Sequence, residues 1–395
     1  MDMNQLRKER TQAWHDTIRG KDPKRVPHYG NLWLTWMSYD AGYTLREAME
    51  NYEVAEKCVL HAAKNYKLDF AVDSGWRNPL KVLGSLGADS YQINDADHSL
   101  NVKDRCYMEP EDYDALIANP KKWLWEVLLP RKFKYLQNKG TNLDSFRNYL
   151  QETGKFGAHL GKIGSILAQE YGWCSLFPQG AAYDALGHGL ELLFCSLRGI
   201  EGMSLDIRRI PDKVEAAIEA LNETFLFPRV EKAKEKFGKG TSEDYCVDIN
   251  LVTFAHTIMN HKQFERFYWP YFQMFIKYVE EFDKIGYFFA EGDSTRFHDF
   301  YRQLPANRFG VLFDLDDIYQ AKKNCPNLTI AGGIRASMLG TATPQQCVDE
   351  VKRVMDAVAY DKKFIFAEHT MISFPKDCKP ENLRAVCDYI DGFRY

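Results

Sequence analysis

The stretch "GYFFAEGDST" at residues 286–295 carries an apolar run straight into Glu291, a glycine and Asp293. A short, continuous apolar run bounded by a turn signal is typical of a fully buried strand in a parallel sheet. In an α/β barrel the carboxyl ends of such strands form the active site. This stretch therefore raises the question of whether Glu291 performs chemistry or only enters a loop.

Seven other stretches have a similar character, and longer segments with helical periodicity, such as 45–66 and 343–358, lie between many of them. The eight predicted strands are "RVPHYGNLW" (25–33), "LDFAVDSG" (68–75), "GKIGSILAQ" (161–169), "EDYCVDIN" (243–250), "GYFFAEGD" (286–293), "FGVLFDLDD" (309–317), "LTIAGGI" (328–334) and "KFIFAEHT" (363–370). Strands that alternate with helices predict βα units and a parallel sheet. Eight of them predict an α/β fold of the (β/α)8 TIM barrel type, with residues 1–395 as one domain.

Two parts of the chain do not follow this alternation of strands and helices. The charged N-terminal segment up to residue 22 predicts a helical extension before the first strand. Residues 76–159 are charged and irregular, and a βα crossover rarely needs so many residues. We therefore expect an insertion between strands 2 and 3, which could serve as a lid, a partner-docking surface or a homodimer contact.

Composition narrows the functional classes. The formal net charge of -4 gives no reason to expect nucleic-acid binding or attachment to an anionic membrane. No apolar run approaches the ~20 residues of a membrane span, and the nine cysteines include no CxxC pair. The sequence lacks the GxGxxG, Walker, GxSxG and HExxH motifs. These features predict a cytoplasmic protein with reduced thiols and no nucleic-acid or membrane partner.

Polar side chains gather at the predicted strand ends. They are Tyr29, Asn31, Asp73, Gln169, Glu170, Asp248, Asn250, Glu291, Asp293, Asp314, Asp316, Arg335, Glu368 and His369. Helix capping explains Asp and Asn at such positions, but Glu is a poor N-cap. We therefore predict catalytic roles for Glu291, Asp248, Asp314 and Tyr29. Such a ring of acids permits either a metal site or general acid–base chemistry.

Several segments resemble the uroporphyrinogen decarboxylase superfamily. They are "LRGIEGMSLDIRRIPDKVEAAIEAL" (197–221), "IMNHKQFERFYWPYFQMFIKYV" (258–279), "GYFFAEGDS" (286–294), "LTIAGGIRASMLGTATPQQCVDEV" (328–351) and "PENLRAVCDYI" (380–390). The resemblance extends from about Arg25 to the C-terminus. It implies a (β/α)8 barrel, in agreement with the strand count.

One departure argues against porphyrinogen decarboxylation. True uroporphyrinogen decarboxylases carry Arg-Gln-Ala-Gly-Arg just after the first strand, whereas this chain has "HYGNLWLTWMSYDAGYTL" (28–45), with no arginine before Arg46. A substrate with four carboxylates needs several cationic partners. A decarboxylase acting on a smaller acid remains an alternative.

The other branch, the corrinoid-dependent methyltransferases, is the closer resemblance. Members that serve coenzyme M bind zinc through a His-x-Cys-Gly motif on the fifth strand and a later Cys. Here the motif reads Phe289-Ala290-Glu291-Gly292, and the later position falls near His369. Glu and His suit a metal that polarises oxygen rather than one that activates a thiol. The resemblance therefore implies a zinc site formed by Glu291, His369 and a third ligand, for which His256 and Asp248 are the first candidates.

This branch includes the substrate-side methyltransferases of anaerobic O-demethylases. They move a methyl group from a phenyl methyl ether to the cobalamin of a separate corrinoid protein. The predicted site for the aromatic ring comprises Trp33 and Trp36, with Asn31 and Asp73 at neighbouring strand ends. A third interpretation, a non-catalytic corrinoid-binding barrel, also remains open.

Overall fold

The structure, a computed structural model, describes residues 2–75, 80–103, 106–137, 143–183 and 187–395. Its centre is a curled parallel sheet of seven strands in the order β2-β1-β9-β8-β7-β6-β5. An antiparallel hairpin of β3 and β4 lies apart from it. The strands are β1 (His28–Gly30), β2 (Phe70–Ala71), β3 (Tyr91–Asn94), β4 (Ser99–Val102), β5 (Ile249–Thr253), β6 (Gly286–Ala290), β7 (Phe309–Phe313), β8 (Thr329–Ile334) and β9 (Phe364–Glu368).

Helices alternate with most of these strands. Those that stand alone are Met3–Ile18, Leu34–Asp40, Leu45–Glu50, Tyr52–Asn65, Leu80–Gly84, Leu143–Tyr171, His298–Tyr301, Ile318–Asn324, Ala336–Thr341, Pro344–Val358 and Pro380–Gly392. Others join short α-helical pieces through single π-turns: Pro120–Trp123 with Leu129–Lys132, Gly189–Leu192 with Gly199–Arg209, Pro211–Leu221 with Phe227–Phe237, and His261–Gln263 with Trp269–Glu281. The helix Tyr113–Ala118 directly precedes the first of these pairs. Among the described residues, no helix combines the length and apolar character needed to cross a bilayer.

Seven of the eight predicted strands are present, and the third is wrong. Residues 161–169 belong to the long helix Leu143–Tyr171. Its buried side chains, His159, Ile163 and Leu167, recur every four residues, which is a helical rather than a strand period. A short apolar run such as "IGSILA" is ambiguous without this longer pattern.

The space between the edge strands β2 and β5 is bridged by an extended segment at residues 174–176. Cys174 donates its N–H to the carbonyl of Asp69, just before β2, at 2.8 Å. Cys246 and Val247, just before β5, donate to the carbonyls of Ser175 and Leu176 at 2.9 and 2.8 Å. The sheet edges are thus connected at their N-terminal ends by backbone hydrogen bonds.

The helix Met3–Ile18 covers the N-terminal end of the curled sheet. The Trp14 ring lies 5.7 Å from that of Tyr287, and Tyr287 stacks on Tyr29 at 5.0 Å. Thr17 accepts a hydrogen bond from Thr329 on β8. These residues fill the interior beneath the mouth, so Tyr29, predicted as catalytic, lies in the packed interior.

The predicted insertion begins at residue 76, outside the described residues. From residue 80 onward the region contains short helices, the β3–β4 hairpin and the first part of the helix Leu143–Tyr171. That helix also includes residues 161–169, the third predicted strand. No strand of the sheet therefore follows the region to define where an insertion would end.

Candidate active site

Glu291 and Asp314 end neighbouring strands at the open mouth of the sheet. Ala290 on β6 pairs with Phe313 on β7, so the next residue of each strand leaves the sheet at the same level. Asp314 accepts a hydrogen bond from the N–H of Gly292 through its Oδ2 at 3.0 Å. Burial, with a smaller contribution from the charge of Asp316, raises the pKa of Asp314, while the Gly292 bond and Arg335 oppose the rise. The predicted positions of these two carboxylates are confirmed.

A buried network fixes the loop that follows Glu291. Asp316 accepts hydrogen bonds from the N–H and hydroxyl of Ser294 at 2.6 and 2.9 Å. Its Oδ2 also lies 2.7 Å from Nε2 of His298. Asp293, by contrast, is exposed and accepts the N–H of Thr295 at 2.9 Å, so it forms a turn. Buried hydrogen bonds therefore hold the loop after Glu291 to the segment that follows β7.

Glu191 organises the loop after β5 and is not among the site residues predicted from the sequence. It is 1% exposed, and it accepts backbone hydrogen bonds from Phe254 at 2.9 Å and Ala255 at 3.1 Å. Tyr268 donates its hydroxyl to the same carboxylate. Burial raises the pKa of Glu191 to about 7. An acid inside the apolar run "GLELLF" (189–194) is the signal that could have identified it.

His256 lies in that loop, beside Glu291. It is fully buried, and neither ring nitrogen has a hydrogen-bond partner within the described ranges. Burial and the charge of Arg296 lower its pKa to about 4. His256 is therefore a neutral imidazole at neutral pH.

Cys195 also lies near Glu291 and was not predicted. Cys195 is exposed at its surface. Burial of the thiol group itself, together with the charges of Glu191 and Glu291, raises the pKa of the thiol. The thiol is therefore protonated at neutral pH and is a poor nucleophile.

His369 and Arg335 lie across the mouth at the ends of β9 and β8. His369 is 5% exposed, and within the described part of the chain both of its ring nitrogens lack a hydrogen-bond partner. Burial and the charge of Arg335 lower its pKa to about 4. A Cβ at Gly332 would lie 2.2 Å from Nε2 of His369, so only glycine leaves room for this imidazole.

Glu368, next to His369, faces the other side of β9. It is fully buried, 3.2 Å from Nε2 of His28, and it accepts the backbone N–H of Asn31 at 2.7 Å. The Asn31 side chain donates to the backbone carbonyl of Glu368 at 3.2 Å. Asn31, predicted to bind substrate, thus joins β1 to β9.

The other predicted substrate-binding residues have structural partners. Asp73 is 1% exposed and caps the helix Leu34–Asp40 by accepting the N–H of Leu34 at 2.9 Å. The placement of Trp36 in an aromatic site is wrong, because it is fully buried and donates to the carbonyl of Cys378 at 3.2 Å. Trp33 is 7% exposed at the start of the same helix.

The placement of Asp248 at the mouth is also wrong. Strand β5 begins at Ile249, so Asp248 precedes it at the opposite end of the sheet. There it accepts the N–H of Ile285 at 2.9 Å, and it lies 3.7 Å from Nζ of Lys284. The strand boundary was misplaced, and Asp248 joins two strand beginnings.

The proposed zinc ligands do not form a complete set. In the described residues, no group of three or more His, Cys, Asp or Glu side chains is arranged to hold a metal ion. His256 and His369 have unpartnered nitrogens, but they lie in loops after β5 and β9, near opposite sides of the mouth. Elemental analysis of the purified protein tests the zinc prediction directly.

Comparison with known proteins agrees with this architecture. The family model of uroporphyrinogen decarboxylase matches residues 195–393, half of the chain, including the ends of β5 to β9. The chain belongs to the uroporphyrinogen decarboxylase family. A solved structure described as a methyltransferase from Methanosarcina mazei aligns over 97% of this chain and 98% of its own, with a TM-score of 0.59 and 12% identity. That similarity concerns the fold. Among curated proteins, no sequence matches this chain.

Two of the described arginines near the mouth are already engaged by other groups of the protein. Arg46, the first arginine after β1, is exposed and pairs with Asp95 and Glu50 at 2.9 and 3.1 Å. Arg296 is held by backbone carbonyls, including those of Met259 and His256 at 3.1 Å. Neither is arranged to meet the several carboxylates of a porphyrinogen.

Proposed function

We propose that this protein is a corrinoid-dependent methyltransferase of the uroporphyrinogen decarboxylase family. It would transfer a methyl group from a methoxylated aromatic to the cob(I)alamin of a separate corrinoid protein. The proposal depends above all on the pair of carboxylates, Glu291 and Asp314, at adjacent strand ends of the mouth. The fold shared with the Methanosarcina mazei methyltransferase supports it.

The chemistry requires a proton at the ether oxygen. When the methyl–oxygen bond breaks, the methyl group leaves without the bonding electrons, which remain on a phenolate whose parent pKa is ~10. The reduced corrinoid supplies the electron pair for the new methyl bond. Asp314 retains its proton to a higher pH than an exposed Asp, so it can donate that proton to the phenolate oxygen.

Glu291 and the neighbouring loops would position the ether. Glu291 is half-buried, and the N–H of the next residue, Gly292, binds Asp314, so the two side chains are held in one turn. Phe289, which precedes them on the interior face of β6, is half-buried and offers an apolar surface to an aromatic ring.

The test uses chemically reduced cob(I)alamin and a panel of methoxybenzenes. Corrinoid methylation would be followed by absorbance and free phenol by chromatography. We expect both products in equal amounts from wild type, and losses of about 10²–10⁴-fold in Asp314→Asn and Glu291→Gln. Asp293→Asn, a change in the exposed turn, is the matched control and should retain full activity. Release of CO2 from an acid without corrinoid methylation would instead establish the decarboxylase alternative.

A further inference from the structure

Two charged side chains hold the turn at residues 254–259, which follows β5 and is called the β5 turn below. Glu191 lies at its beginning and accepts the N–H groups of Phe254 at 2.9 Å and Ala255 at 3.1 Å. Arg296 lies at its end and donates to carbonyl oxygens there. The carboxylate therefore binds the amide end of the turn and the guanidinium binds its carbonyl end, which matches the dipole of a helical turn.

Arg296 also connects the β5 turn to the loop that carries Glu291. Its Nη2 donates to the carbonyls of His256 and Thr257 at 3.1 and 3.0 Å. Its Nη1 donates to the carbonyl of Asp293 at 3.1 Å, in the loop after Glu291. Because arginine presents these donors in one rigid plane, a single side chain fixes the distance between the two loops.

The β5 turn contacts the backbone around Glu291 directly. Glu291 donates its N–H to the carbonyl of Thr253, immediately before the turn, at 3.1 Å. Gly292 has a φ of +70°, and a Cβ there would lie 3.4 Å from Cγ2 of Thr257. His256, within the turn, is fully buried. A shift of the turn would therefore move the backbone that carries the Glu291 carboxylate.

We propose that Glu191 and Arg296 are positioning residues, which hold the β5 turn at both ends and thereby fix the Glu291 carboxylate where it meets the substrate. This inference rests on the proposed function, since that function assigns Glu291 its role. Glu191 is 1% exposed, so it acts through the turn rather than by touching the substrate. A displacement of about 1 Å in a reacting group can cost ~10²-fold in rate.

Steady-state kinetics of corrinoid methylation test the inference with paired variants. Glu191→Met keeps a similar length but removes both acceptor oxygens, whereas Glu191→Gln keeps one carbonyl oxygen for the backbone N–H groups. We expect kcat to fall about 10–100-fold in Glu191→Met, with KM within about threefold of wild type. Glu191→Gln should retain most of kcat. Arg296→Gln should reproduce the loss, and Arg296→Lys should restore only part of it, because Lys lacks the planar set of donors.

Asn382→Leu is the matched control. Asn382 is fully buried and donates to the carbonyls of Leu339 and Ala342 at 2.7 and 2.9 Å, after β8. Its replacement also removes two hydrogen bonds from a buried side chain to the backbone, so it should lower stability and leave kcat unchanged. An equal loss of kcat in this control would overturn the inference, as would wild-type kcat in Glu191→Met and Arg296→Gln.

Histidine-selective ¹⁵N NMR tests the same inference without turnover. The His256 ring signal, assigned by its absence from His256→Gln, should shift in Glu191→Met and in Arg296→Gln. It should keep its wild-type position in Glu191→Gln and in Asn382→Leu. An unchanged His256 signal in Glu191→Met would overturn the inference whether or not methyl transfer occurs. The expected shifts in a protein that methylates no corrinoid would support the hold of Glu191 and Arg296 on the turn and refute the proposed reaction.

Discussion

The carboxylate of Asp314 accepts the backbone N–H of Gly292 at 3.0 Å, which ties the end of β7 to the residue after Glu291. Asp314 and Leu315 also donate their N–H groups to the carbonyls of Ala290 and Gly292, at 3.0 and 3.1 Å, so these bonds together set the relative position of the two acids proposed to act on the ether. Burial also raises the pKa of Asp314. The Asp314 side chain therefore both positions the residue after Glu291 and carries the proton proposed for transfer to the ether oxygen.

The pH dependence of methyl transfer follows from this pKa. The acid acts in its protonated form, so the rate should be highest at low pH and fall as pH rises through the raised pKa of Asp314. In Asp314→Asn this decline should disappear, with the remaining rate about 10²–10⁴-fold lower. A pH profile of kcat for both proteins checks this. A decline that persists unchanged in the variant would assign the titration to another group.

Glu191 should make stability depend on pH. Its pKa rises from 4.5 when exposed to about 7 in the folded protein. The folded state therefore holds its proton more strongly, and stability should fall between pH 4.5 and 7, by about 3 kcal/mol in all, and be constant above. Glu191→Gln should abolish this decline. Urea unfolding at several pH values measures it, and Glu235→Gln, an exposed change on the helix Phe227–Phe237, should preserve the decline.

The buried Asp316 should contribute far more to stability than its neighbour Asp317. Asp316→Ala leaves His298 and Ser294 without their partner, and losing one member of such a buried pair costs about 3–5 kcal/mol. Asp317 is exposed and only caps the helix Ile318–Asn324 through Gln320, so Asp317→Ala should cost about 1 kcal/mol. Chemical denaturation compares the two. Equal losses would show that the network behind the loop is not a stabilising unit.

Gly332→Ala should move His369. The new Cβ would lie 2.2 Å from the imidazole, which must rotate away, and Gly332 also has a φ of +151°. Because this close-packed site must rearrange, we expect the free energy of unfolding, measured with urea, to fall by about 1–3 kcal/mol. Gly157→Ala is the contrasting change, since its Cβ would meet nothing within 4 Å on the helix Leu143–Tyr171. It should raise stability by roughly 0.5–1 kcal/mol.

Sequence patterns located the parts of this molecule that are locally encoded. Strands β6 to β9 are continuous apolar runs, so Glu291, Asp314 and His369 were placed correctly at their ends. Asp248 was misplaced because "EDYCVDIN" reads like a strand, although pairing with β6 begins only at Ile249. The end of the sheet at which a residue lies depends on the register of strand pairing. The sequence of a single strand does not reveal that register.

Other features depend on contacts between distant segments. Glu191 belongs to the site because it binds the backbone of Phe254 and Ala255, 63 and 64 residues away. Trp36 lies outside the predicted aromatic site because its indole N–H donates to the carbonyl of Cys378, 342 residues away. A pattern within a short stretch of sequence does not reveal contacts between residues so far apart. The sequence places Arg335 at a strand end, but only the three-dimensional structure shows that its guanidinium has no partner among the described residues.

The strand order has a consequence for how the chain is made. β1 lies between β2 and β9, and His28 pairs with Phe366, a residue far along the chain. During synthesis, one edge of β1 therefore stays unpaired until β9 has emerged. Unpaired strand edges invite association between nascent chains, and such long-range contacts slow folding. We accordingly expect the yield of native protein to depend on temperature and synthesis rate more steeply than its final stability would suggest.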